Sequence, residues 1–63
     1  MELSKREIQI LRLMANGKEN KEIAQELFIS PQTVKNHISN ILAKLQMENR
    51  IQAAIYAVQN RII

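Results

Sequence analysis

The sequence contains no cysteine, and only one glycine, one proline and one histidine in 63 residues. Without cysteine, neither a disulfide framework nor a thiolate metal site can form. The lone histidine, His37, cannot hold a zinc ion in the usual four-ligand geometry by itself. We therefore expect no metal and no cofactor, and the fold must rest on apolar packing alone.

The chain also lacks the features of an enzyme and of a membrane protein. A domain this small buries only about 60% of the surface that its unfolded chain exposes, which leaves little room for an enclosed cleft. Paired carboxylates, or a nucleophile beside a base, do not appear at usable spacing. No apolar run approaches the roughly 20 residues that span a bilayer, and the N-terminus lacks a secretory signal. We expect a cytoplasmic binding module, not an enzyme.

The charge is modest in total but uneven along the chain. The formal net charge is +3, and all six acidic residues lie outside the stretch from Leu27 to Met47. That stretch contains Lys35 and Lys44. A polyanion would be tolerated there, although a charge of +3 is also ordinary for a soluble domain.

Helix caps and breakers predict an all-α fold. Ser4 and Glu7 have the spacing of a capping box, and Gly17 provides a left-handed residue to end the first helix. Asn20 is expected to cap the second helix, Ser30 before Pro31 the third, and Asn49 the fourth. The sequence predicts a compact four-helix domain over residues 1–63, with helices at about 5–16, 20–28, 30–45 and 49–60.

The third predicted helix has two contrasting faces. Its apolar residues fall in one stripe with helical spacing that should face the core: Val34, Ile38, Ile41, Leu42 and Leu45. At about 100° per residue, Gln32, Asn36, Ser39 and Asn40 cluster on the opposite face. Lys35 flanks this polar face on one side, and His37 and Lys44 flank it on the other.

The fourth helix is apolar over most of its circumference. We interpret Ile51, Ala54, Ile55, Val58 and Ile62 as its stripe toward the core. The residues left on the outside would then be Ala53, Tyr56, Ala57 and Asn60. Small and amphipathic residues would thus be offered outward on this helix.

A short second helix, a tight turn and a polar third helix match the helix-turn-helix plan. The second helix of such a pair can lie in the major groove. The candidates for base contacts are Gln32, Lys35, Asn36 and Ser39, because amides pair well with adenine and a lysine suits guanine. The candidates for phosphate contacts are Lys21, Ser30, Thr33, His37, Asn40 and Lys44. An ordinary solvated helix face remains an alternative.

An ordered set of residues closely resembles the LuxR/GerE helix-turn-helix family, also called NarL/FixJ. The resemblance covers nearly the whole chain. It is carried by Leu3-Ser4-Lys5-Arg6-Glu7, Gly17, Asn20-Lys21-Glu22-Ile23-Ala24, Leu27-Phe28-Ile29-Ser30, Thr33-Val34-Lys35-Asn36-His37-Ile38-Ser39-Asn40-Ile41-Leu42, Lys44-Leu45 and Asn49-Arg50.

The resemblance implies the DNA-binding domain of a bacterial transcription factor, usually the C-terminal output domain of a two-component response regulator. It implies base-reading roles for Lys35, Asn36 and Ser39. It also implies homodimers on paired half-sites with the fourth helix at the dimer contact, which agrees with the outward face of Ala53, Tyr56, Ala57 and Asn60. An ordinary exposed face on a monomer is the alternative. Ile51 departs from the family, where a small polar residue is common, and Glu19 places an acid near the expected phosphate path. We expect a domain cut from a longer regulator rather than a stand-alone member.

Two rival functions use the same helices. The domain could dock a protein partner such as RNA polymerase, but the polar, acid-free outer face of the third helix argues against that. RNA binding is disfavoured because the deep, narrow groove of A-form RNA excludes a helix. Phe28 and Tyr56 also form no stacking platform. Double-stranded DNA is therefore the expected partner.

Overall fold

The computed structural model describes residues 2–62, so the two ends of the predicted domain, Met1 and Ile63, lie outside the described residues. Between them the chain folds into four α-helices and has no strand. The all-α prediction is confirmed, and each predicted helix end lies within one residue of the observed one. The helices are α1 (Lys5–Ala15), α2 (Asn20–Leu27), α3 (Pro31–Leu45) and α4 (Arg50–Gln59).

Three of the four predicted caps are confirmed. The Ser4 hydroxyl accepts a hydrogen bond from the Glu7 amide, and the Glu7 carboxylate accepts one from the Ser4 amide, which completes the capping box. Ser30 Oγ accepts from the Thr33 amide at 3.0 Å. Asn49 Oδ1 caps α4 in the same way, so side chains satisfy amides that would otherwise have no partner.

The predicted cap of α2 is wrong by one residue. Glu19, not Asn20, occupies the N-cap position, and its amide donates to Glu22 Oε1 at 2.9 Å. Asn20 is instead the first residue of the helix, and its side-chain oxygen accepts a hydrogen bond from Arg50. The side-chain oxygen that the sequence predicts as the helix cap is thus bonded to Arg50, an arginine 30 residues further along the chain.

Each of the first three helices is followed by a residue with a left-handed backbone. Gly17 has φ +85°, as predicted, while Phe28 and Gln46 have φ values of 58° and 55° without the freedom of glycine. The amide after each of these residues reaches back to a carbonyl near the helix end. The turn at Phe28 leaves only three residues between α2 and α3, as a helix-turn-helix requires.

The core lies where α1 packs against both α3 and α4, and α2 packs mainly against α3. The predicted stripe of α3 is confirmed, because Val34, Ile38 and Ile41 are buried. Leu42 and Leu45 are half-buried against the same core. The buried apolar side chains are Ile10, Leu11, Met14, Ile23, Ala24, Val34, Ile38, Ile41, Ala53 and Ala57.

The predicted orientation of α4 is wrong. Ala53 and Ala57 have no exposed surface, so they belong to the core and cannot form a dimer contact. Ile51, Ile55 and Val58, which the sequence predicts in the core, are 69%, 51% and 56% exposed. Of the same predicted stripe, Ala54 is half-buried and Ile62 does pack against the core. The physical reason is size, since alanines let α4 approach α1 closely while the larger side chains do not fit between the helices.

Of the other two residues predicted for the dimer contact, neither is fully buried. Tyr56 is half-buried and lines a groove with Leu3 and Leu45. Asn60 is exposed, and its amide group donates to the Tyr56 carbonyl, which caps the end of α4. Among residues 2–62, no helix has the length and apolar character needed to cross a membrane.

Candidate nucleic-acid interface

The four residues predicted to contact bases all lie on the solvent side of α3. Gln32, Lys35, Asn36 and Ser39 are exposed, whereas Val34 and Ile38, which lie between them in sequence, are buried in the core. We call these four residues the α3 outer face. The face offers two amides, one hydroxyl and one ammonium and no carboxylate, which suits the donors and acceptors of base edges.

The two amides of this face are hydrogen-bonded to each other. Gln32 Nε2 donates to Asn36 Oδ1 at 3.0 Å, one helical turn along α3. The bond leaves Gln32 Oε1 free as an acceptor and Asn36 Nδ2 free as a donor. An adenine edge presents the complementary pair, a donor at N6 and an acceptor at N7. The two amides thus keep one acceptor and one donor, the group types that pair with an adenine edge.

The N-terminal end of α3 combines a cap with a free donor. The Ser30 and Thr33 hydroxyls lie 2.8 Å apart, and Ser30 is exposed while Thr33 is half-buried. The N-terminus of a helix carries a partial positive charge, which favours an anion. Pro31 has no N–H and the Thr33 and Val34 amides bond to Ser30, so the Gln32 amide is the donor that the start of α3 leaves for an anion. No acidic residue occurs between Leu27 and Met47 to repel one.

The remaining phosphate candidates differ in exposure. Lys21 is exposed in the first turn of α2, and Asn40 is exposed on α3. His37 is half-buried, so only part of its ring is available to a ligand. The structure therefore leaves two of these three side chains fully accessible to a phosphate.

Lys44 is engaged within the protein. Its ammonium lies 2.7 Å from Glu7 Oε1, and the side chains of Lys44 and Glu7 are 29% and 6% exposed. The hydrogen bond from Lys44, followed by that from the Ser4 amide, holds the pKa of Glu7 below its ordinary value, although burial acts in the opposite direction. The charge of Lys44 is thus already balanced, and its main contact joins α3 to α1.

Arg50 is the polar residue that sequence reasoning missed. Its guanidinium donates to Asn20 Oδ1 at 2.7 Å and to the Lys18 carbonyl at 3.0 Å, linking the start of α4 to the start of α2. The resemblance contained Asn49-Arg50 but gave no role for the arginine. Its partners lie about thirty positions away, so no local pattern could identify them.

The comparisons with known proteins agree with this geometry. The family model described as bacterial regulatory proteins, luxR family, matches residues 1–57. The transcriptional regulatory protein LiaR of Bacillus subtilis is 57% identical over 61 residues, which are 97% of this chain and 29% of that protein. The response regulator protein VraR of Staphylococcus aureus is 51% identical over 61 residues, with the same coverage of both chains. The chain thus spans less than a third of the length of these relatives.

Two solved structures have the same fold. The transcription factor GerE superposes with a TM-score of 0.85 at 37% identity, covering 95% of this chain and 90% of that one. The response regulator ChrA, from a heme-sensing two-component system, gives a TM-score of 0.89 at 44% identity and covers 100% of this chain and 31% of that one. The chain belongs to the LuxR family of bacterial regulatory proteins, and its four helices form the helix-turn-helix DNA-binding domain of that family.

Proposed function

We propose that this domain binds double-stranded DNA sequence-specifically, with α3 lying in the major groove. The observation that supports the proposal best is the α3 outer face, which is exposed, rich in amides and free of acidic residues. The groove is about 12 Å wide and admits one α-helix. Asn36, supported by Gln32, reads an adenine, while Lys35 and Ser39 contact neighbouring base edges.

The proposed phosphate contacts surround this face. Ser30, Thr33 and the backbone amide of Gln32 hold one phosphate, and Lys21 reaches another from α2. Asn40 and His37 contact the backbone further along α3. Lys44 contributes least, because its charge is balanced by Glu7.

The relatives support a role in bacterial transcription control, and we propose that the domain acts in the cytoplasm. One is named a transcriptional regulatory protein and another a response regulator protein. We therefore propose that these 63 residues serve as the DNA-binding part of a two-component response regulator. Two-fold symmetric proteins of this kind bind paired half-sites whose spacing follows the helical repeat of DNA.

We further propose that the domain pairs as a homodimer through α4 on such half-sites. The residues that carry this contact are not the buried alanines but Ile51, Ala54, Ile55 and Val58, which we call the α4 outer face. They recur at the spacing of one helix stripe and include no charge. A ten-residue helix buries little area, so pairing in free solution should be weak and DNA should strengthen it.

Selection from random DNA tests the proposal that the domain binds DNA sequence-specifically. The purified domain is mixed with random double-stranded oligonucleotides at two salt concentrations, and the retained molecules are sequenced. Enrichment of a two-fold symmetric motif, with binding that weakens as salt rises, would support the proposal. Retention of DNA without enrichment of a motif would contradict sequence-specific binding. No retention of DNA at either salt concentration would favour a protein partner.

The homodimer is tested on the selected duplex and on a duplex with one half-site. Ile55→Glu should abolish the cooperative binding of two copies to the full site, because a carboxylate would be buried at the contact. Binding to the single half-site should not change, which serves as the control. Cooperative binding that survives this substitution would exclude the α4 outer face.

A further inference from the structure

Arg50 joins two helices that are not packed against each other. Within residues 2–62, α4 packs on α1 and α3, whereas α2 packs on α3 and more lightly on α1. The half-buried Arg50 crosses from α4 to Asn20, the first residue of α2, and to the Lys18 carbonyl just before it. One side chain thus ties α4 to the segment that leads into the helix-turn-helix.

The two bonds fix the direction in which α2 begins. A guanidinium is a planar fork, so donation from Nη1 and Nη2 to two acceptors holds both acceptors in a defined relation. Glu19 lies between the two acceptors along the chain and is the N-cap of α2. Lys21, the proposed phosphate contact, follows Asn20 directly and belongs to the same helical turn.

We infer that Arg50 is a positioning residue for DNA binding, which holds the first turn of α2 so that Lys21 meets a phosphate. The inference rests on the proposed function. Arg50 acts here through hydrogen bonds to Asn20 and Lys18, and its guanidinium does not itself need to touch DNA. The same two hydrogen bonds connect α4 directly to the side of the domain that we propose faces DNA.

Two substitutions separate positioning from a direct phosphate contact. Arg50→Lys keeps the positive charge but loses the fork that reaches both acceptors. Asn20→Ala removes one acceptor and leaves Arg50 intact. If Arg50 positions α2, both variants should weaken DNA binding. If Arg50 contacts phosphate directly, Asn20→Ala should leave binding unchanged or strengthen it, and that result would overturn the inference.

The decisive measurement is the effect of Lys21→Ala on the salt dependence of DNA binding, in the unaltered protein and in each variant. Binding to the selected duplex is measured over a series of salt concentrations, with and without Lys21→Ala. One phosphate contact contributes about 0.9 to the slope of log affinity against log salt. Lys21→Ala should reduce the slope by that amount in the unaltered protein and by much less beside Arg50→Lys or Asn20→Ala.

A control variant and a folding check complete the test. Arg61→Lys is the same substitution at an exposed arginine beyond the other end of α4, and the full effect of Lys21→Ala should persist beside it. All variants are measured below their melting temperatures, which circular dichroism determines.

If the effect of Lys21→Ala is equally large in every background, the positioning role is excluded while DNA binding stands. If the unaltered domain binds no duplex, the proposed function fails as well.

Discussion

At the scale of single residues, the ion pair of Glu7 with Lys44 places a buried carboxylate at the contact between α1 and α3. Glu7 is 5% exposed and its Oε1 accepts from both the Ser4 amide and the Lys44 ammonium. The charge of Glu7 therefore contributes to the attachment of α3 to α1. This contact could not be predicted, because the capping-box pattern identifies the partner at Ser4 and says nothing about residue 44.

Glu7→Gln should destabilise the domain at neutral pH. The substitution keeps a side-chain oxygen for the Ser4 amide but removes the charge opposite Lys44. Hydrogen bonds to charged groups contribute about 1.5–3 kcal/mol, and the partial exposure of Lys44 places the expected loss near the lower end. Urea denaturation at pH 7 measures the change in free energy of unfolding, and no loss would contradict the structural role of the pair.

The same pair predicts an acid dependence. The folded pKa of Glu7 lies below its unfolded value, so its contribution to stability is present above the unfolded pKa and is lost as the pH falls through the folded pKa. The stability difference between the unaltered protein and Glu7→Gln should therefore shrink in acid. Thermal melts between neutral pH and strongly acidic pH follow this difference. A constant difference would mean that Glu7 does not titrate as the ion pair predicts.

Phe28 combines an unfavourable backbone with an exposed ring. Its φ of 58° costs a residue with a Cβ about 1–2 kcal/mol, and its side chain is 94% exposed. Phe28→Gly should relieve this strain and stabilise the domain by about 0.5–1 kcal/mol after the greater unfolded-state entropy of glycine is counted. Gln46→Gly, at φ 55°, is a matched second case. A lower melting temperature for both variants would contradict the prediction.

Asn36 tests the reading of bases directly. Asn36→Ala removes the amide that Gln32 holds in place, and it should change the preference at one base pair by about 1–3 kcal/mol. Affinities for the selected duplex and for single-base variants of it measure that preference. An equal loss of affinity on every sequence would refute a base-reading role.

At the scale of helices, the sequence was sufficient for the boundaries to within one residue and for the core face of α3, but not for the core face of α4. Caps and left-handed residues are local, so Ser4, Gly17, Ser30 and Asn49 marked helix ends without reference to the rest of the fold. The stripe of α3 was clear because polar residues occupy its opposite side. In α4 both sides are apolar, and periodicity alone favoured the larger side chains over the alanines that pack closely.

Neighbouring alanines on α4 distinguish the two orientations of that helix. Ala53→Leu should destabilise the domain by about 1–3 kcal/mol, since the larger side chain has no space in the core. Ala54→Leu adds the same atoms on the α4 outer face, where Ala54 is only half-buried, and should have a much smaller effect. Urea denaturation compares the two. Equal effects, or a larger effect at Ala54, would contradict the observed orientation.

At the scale of the whole molecule, the α3 outer face and the α4 outer face belong to different helices and differ in chemistry. The first is polar and acid-free, and the second is apolar and uncharged, so they suit different partners. From that contrast we propose DNA as the partner of the α3 outer face and a second copy of the chain as the partner of the α4 outer face. Two polar contacts, Glu7 with Lys44 between α1 and α3 and Arg50 with Asn20 between α4 and α2, link residues far apart in sequence and became evident only from the fold.

The most direct test of DNA reading by α3 is a nuclear magnetic resonance titration of the isotope-labelled domain with the selected duplex. We expect the largest amide shifts from Ser30 to Asn40 and around Lys21. The α4 outer face should respond only when the duplex carries two half-sites. Large shifts confined to α4, with α3 unaffected, would contradict the central claim that α3 is the DNA-reading helix.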